Sequence, residues 1–105
     1  MKAEDFIITE QRIQEGATRI NVKGRVDYIN APVLKHKLEE AINNENINIV
    51  LNMSQVTYLS SIGISAVLSI YKHVEEIGGK FGIEQPSEVV KNVLGITALD
   101  KMLIV

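Results

Sequence analysis

The chain has 105 residues, which at one domain per roughly 150 residues predicts a single domain spanning 1–105. Hydrophobic residues make up 46% and charged residues 23%, a globular balance that excludes a wholly disordered chain. Eleven Lys and Arg against thirteen Asp and Glu leave a net charge of -2, so a broad electrostatic footprint for nucleic acid or an anionic membrane is not expected. With no Cys, disulfides, Cys-based zinc sites and a Cys nucleophile are excluded.

The first predicted element is a short β-branched strand, Phe6 to Ile13, followed by a turn at Gln14-Glu15-Gly16. From Thr18 to Gly24 the residues alternate, with Ile20 and Val22 on one side and Arg19, Asn21 and Lys23 on the other. That period of two marks a half-buried strand and a hairpin partner for the first. After Val26 the period changes. Asn30 can cap a helix, and Pro32 fits the first turn, where a backbone N–H has no partner to lose. Leu34, Leu38, Ala41 and Ile42 then form one apolar stripe. Ile47 to Met53 is apolar enough for an interior strand of a covered sheet.

Ser60-Ser61 opens a second helix running to Ile77, with Ile64, Leu68, Tyr71 and Val74 at helical spacing. Its first half is apolar nearly all round, which predicts the most buried helix of the fold. Gly78-Gly79 ends it, Lys80 to Glu84 is a short strand, and Pro86-Ser87 starts a third helix carrying Val89, Val90, Val93 and Leu94, stopped by Gly95. Met102 to Val105 reads as a last apolar strand. The resulting order, ββαβαβαβ, predicts an α/β fold. It has a mixed sheet of about five strands, an N-terminal hairpin followed by right-handed parallel crossovers, packed by three or more helices.

Few residues carry chemistry. His36 and His73 lie far apart, near no acidic cluster, so no metal or other cofactor is expected. No phosphate-loop lysine follows a glycine at the required spacing, and there is no Gly-x-Ser-x-Gly, so neither nucleotide hydrolysis nor serine-hydrolase chemistry is supported. Ser60 and Ser61 can cap the second helix, and a phosphate on either would gain from the free N–H groups there. Asp27 suits a turn before the first helix. No stretch is long and apolar enough for a signal peptide or a membrane span, so a cytoplasmic location is expected.

The stretch from Ile49 to Ile64, an apolar strand, a short polar turn and then Ser60-Ser61-Ile62-Gly63 opening a helix, resembles the signature of the STAS domain of bacterial anti-sigma factor antagonists. Gly24-Arg25-Val26-Asp27, Gly78 to Phe81, Pro86 to Leu94 and Ile96 to Lys101 resemble its other segments in order. The resemblance implies a small sheet packed by helices and a binding role rather than catalysis. It implies a protein partner that is both an anti-sigma factor and an ATP-binding serine kinase, and a phosphatase that reverses the phosphorylation. In this register the phosphoacceptor is Ser61. Ser60 stands where the family carries Asp, and Ile62 where it carries a second serine. Asp27, Tyr28, Asn30, Ser60, Ser61, Ile62 and Gly63 are the implied partner-binding residues. The alternative is a non-switching scaffold or accessory subunit of the same fold, whose binding would not depend on Ser61.

Overall fold

The computed structural model describes residues 5–14 and 16–105. Met1 to Glu4 and Glu15, on which the readings of the N-terminus and first turn partly rest, lie outside the described residues. The elements are β1 (Ile7–Gln14), β2 (Ala17–Val26), α1 (Ala31–Asn43), β3 (Asn48–Leu59), α2 (Ser61–Glu76), β4 (Lys80–Glu84), α3 (Glu88–Ile96) and the short α4 (Asp100–Leu103).

The four strands form one sheet in the order β1-β2-β3-β4. β1 is antiparallel to β2, while β2 with β3 and β3 with β4 are parallel. The alternation read in β2 is realised: Thr18, Ile20 and Val22 are buried, and Ile49, Leu51, Phe81 and Ile83 continue that face on β3 and β4. α1, α2 and α3 bury Leu34, Leu38, Val67, Ile70, Val90 and Leu94 into the same cluster. The intervening positions, Arg19, Asn21, Val50, Asn52 and Glu84, face the other way, where Arg19 and Glu84 form an ion pair across β3.

Two expectations are corrected. The terminal residues do not form a fifth strand. Asp100–Leu103 is one helical turn, and only the last two residues reach the sheet, Ile104 as an isolated parallel bridge to Ile83 and Val105 through its amide, which donates to the Ile83 carbonyl at 2.9 Å. Asp100 in the first turn and Lys101 in the last suit the helix dipole, and Leu103 is buried into the core from that turn. α2 is also not the most buried helix: α1 and α2 each bury five residues. In α2 these are Gly63, Ala66, Val67, Ile70 and Val74, with Ile64, Leu68 and Tyr71 flanking them half-buried.

All three longer helices stop in the same way. The second residue past the helix takes a left-handed backbone: Glu45 (φ 66°), Gly78 (φ 81°) and Ala98 (φ 59°). Two amides then turn back onto the last carbonyls, as in Asn46 to Ala41 and Glu45 to Ile42, Gly79 to Val74 and Gly78 to Glu75, Leu99 to Leu94 and Ala98 to Gly95.

Candidate functional site

β2 and β3 run parallel and end in register, Val26 beside Leu59, so the segments that follow them leave the sheet at the same end. This places Asp27 to Asn30, which lead into α1, next to Ser60 to Gly63, which begin α2. The contact is direct. The Ser60 amide and hydroxyl both donate to the Val26 carbonyl, at 2.9 and 3.0 Å. Ser60 Oγ in turn accepts from the Gly63 amide at 3.1 Å, and the Ser60 carbonyl accepts from the Ile64 amide at 2.9 Å.

Ser60, with extended backbone (φ -82°, ψ 168°), is therefore the cap of α2. Ser61 is the first residue inside the helix and is exposed. Gly63 is buried under the end of β2: a Cβ there would come within 2.8 Å of Val26 Cγ1 and 2.9 Å of Leu59 Cδ1. The missing side chain lets the first turn of α2 sit on the sheet.

Asp27 holds the neighbouring loop. Its Oδ1 accepts from the Ile29 and Asn30 amides at 3.1 and 2.9 Å, and its carbonyl accepts from the Ala31 amide at 2.8 Å. Asn30 is at the cap position of α1 but does not cap with its side chain, contrary to expectation. The Asp27 carboxylate occupies that role one turn earlier, and Asn30 Nδ2 donates instead to the Arg25 carbonyl at 2.9 Å. Tyr28 takes no part in this network and is 69% exposed.

The sequence did not single out four further contributors. Arg25 stacks on Tyr58, 4.3 Å from its ring centroid, and its Nε lies 3.8 Å from Asp27 Oδ2. Ile29 and Val33 are exposed apolar residues at the start of α1. Their four-residue spacing, away from the Leu34–Leu38 stripe, was the available signal. Pro32 joins Ala31, Lys35, Ile62, Ser65 and Ala66 around a shallow cleft of about 330 Å³ between the two helices. Ile62, half exposed, sits at its edge beside Ser61. The arrangement is an apolar patch around two helix starts with a free hydroxyl at its rim. Among the described residues there is no group of three or more His, Asp or Glu able to hold a metal ion, and no helix is long and apolar enough to cross a membrane.

The STAS domain model matches residues 9–105. The chain belongs to the STAS domain family. It is 28% identical over 85 residues to the anti-sigma-B factor antagonist of Bacillus subtilis, covering 81% of this chain and 77% of that protein. An anti-sigma factor antagonist from Mycobacterium paratuberculosis superposes with a TM-score of 0.83 at 20% identity, over 94% of this chain and 83% of that one. The Bacillus antagonist SpoIIAA has been solved in two states. The unphosphorylated form matches with a TM-score of 0.81 at 19% identity, over 93% of this chain and 86% of that one. The phosphorylated form matches with 0.75 at 17% identity, over 93% and 89%. These likenesses establish the fold, including the mixed sheet with its antiparallel first pair.

Proposed function

We propose that this STAS domain is an anti-sigma factor antagonist whose binding to its partner is switched by phosphorylation of Ser61. The partner is an anti-sigma factor that is also an ATP-binding serine kinase, and a serine phosphatase resets the switch. The observation that carries the reading is the division of labour between the adjacent serines. Ser60 is committed to the cap and to Val26, whereas Ser61 lies exposed beside an apolar patch. A phosphate added to Ser61 costs the fold no cap, and it sits where the helix dipole favours negative charge. The same charge must be desolvated when a partner closes over Ile62, Pro32 and the start of α1. An unpaired buried charge costs several kcal/mol, and about 3 kcal/mol lowers affinity roughly a hundredfold. The relative solved in a phosphorylated form supports a switch of this kind in the family.

The partner-binding residues are Asp27, Tyr28, Asn30, Ser60, Ser61, Ile62 and Gly63. Asp27 and Asn30 shape the loop, Ser60 and Gly63 set the helix, and Tyr28, Ser61 and Ile62 are exposed for contact. Mass spectrometry of the protein from its own cells should find phosphate on Ser61. In calorimetric titrations against the cognate anti-sigma factor, Ser61→Ala should bind like the wild type and Ser61→Asp about tenfold or more weakly, since Asp carries less charge than phosphoserine. Equal affinity of the two folded variants would reject the switch and leave a scaffold that binds regardless of Ser61. Asp27→Asn keeps an oxygen for the Ile29 and Asn30 amides while removing the charge, so it tests the carboxylate in binding without dismantling the loop.

A further inference from the structure

The free edge of the sheet points to a second use of this chain, and we propose that two copies pair antiparallel through β1 about a two-fold axis at Gln11. β1 is the outermost strand, and among the described residues only β2 pairs with it. It is eight residues long, and all but Ile8 are exposed. Edge strands are usually blunted by prolines, by charged side chains or by bulges. β1 has no proline. Its two charges, Glu10 and Arg12, are of opposite sign and stand two positions apart on one face with neutral Gln11 between them.

That pattern is self-complementary in one register. A two-fold axis perpendicular to the sheet keeps each side chain on its own face, so it must pass through a residue that then opposes its own copy. Centred on Gln11, Glu10 of each copy faces Arg12 of the other, giving two symmetric ion pairs. Centred one residue earlier, Glu10 would face Glu10; one residue later, Arg12 would face Arg12. Like charges directly opposite oppose pairing, and opposite charges favour it. The chemistry of the edge therefore selects a second copy of this chain, in one register. β2 lies between this edge and β3, the strand that leads to Ser61, so the pairing does not use the α2 start.

The chain contains no Cys, which makes the register directly testable by single substitutions. Opposed residues of antiparallel strands lie about 4.5–5.5 Å apart between Cα atoms, within disulfide range. Gln11→Cys should therefore oxidise rapidly to a covalent dimer. Thr9→Cys, equally exposed but about 13 Å from its copy in this register, should not. Sedimentation equilibrium of the wild type should show a mass rising toward the dimer between about 10 µM and 1 mM, as befits a small interface. Arg12→Glu should abolish the rise, and the double swap Glu10→Arg with Arg12→Glu should restore it, with circular dichroism confirming that each variant is folded. A wild type that stays monomeric at 1 mM, equal oxidation of the two Cys variants, or association unchanged by Arg12→Glu would each overturn the proposal.

Discussion

Ser60 Oγ donates to the Val26 carbonyl and accepts from the Gly63 amide, while Ser61, one residue on, is exposed. Two chemically identical side chains should therefore respond differently to the same substitution. Ser60→Ala removes the cap and should lower stability by about 1 kcal/mol in urea unfolding. Ser61→Ala should stay within about 0.5 kcal/mol of the wild type, as exposed substitutions do. Gly63 offers a third contrast. Ala is the better helix former in the abstract, yet here its methyl group would press on Val26, Leu59 and the Val26 carbonyl. Gly63→Ala should destabilise by about 1–3 kcal/mol, the usual result of overpacking, and should loosen the start of α2 where the partner is proposed to dock.

The elements owe their ends as much to backbone geometry as to pattern. α2 stops at Gly78, for which a left-handed backbone is cheap, and Gly79 then passes so close to Ile47 that a side chain would overlap its carbonyl oxygen. α1 and α3 make the same turn with Glu45 and Ala98, residues for which that backbone costs about 1–2 kcal/mol. Ala98→Gly and Glu45→Gly should each therefore raise stability by about 0.5–1 kcal/mol net of the entropy glycine loses on folding. Thermal melts of the single variants check this, and a loss of stability at Ala98 would mean that its methyl group makes a contact outweighing the strain. The glycine at α2 was legible as a stop. The stop of α3 was placed at Gly95, which lies inside the helix, because no glycine marks the turn itself at Ala98.

For the whole molecule, folding and binding should separate at Ser61. A negative charge in the first turn of α2 interacts favourably with the helix N-terminus, so Ser61→Asp should melt at the wild-type temperature or slightly above it. If the proposed switch operates, the same variant loses most of its affinity for the anti-sigma factor. A lowered melting point in Ser61→Asp would instead make unfolding, not desolvation at the interface, the cause of any lost binding.

The sequence by itself determined the α/β class, the hairpin, both parallel crossovers and the order of the main helices, because each rests on a local period or a turn residue. The Leu34, Leu38, Ala41 and Ile42 stripe and the alternation of Ile20 and Val22 needed no knowledge of their neighbours to be placed inside. It also pointed to the Ser60-Ser61 step as a helix start. What only the tertiary structure decided were questions of competition between residues distant in sequence. Ser60 rather than Ser61 became the cap because the Val26 carbonyl, 34 residues earlier, reaches it across the parallel β2–β3 pair. Asn30 lost its capping role because its backbone is already helical and its side-chain amide is turned back to donate to the Arg25 carbonyl. Met102 to Val105 had the apolar composition of a strand, but Leu103 could be buried from a helical turn, leaving only Ile104 and Val105 to touch β4. In each case the local preference was satisfied by two arrangements, and packing or a hydrogen bond from elsewhere in the fold chose between them.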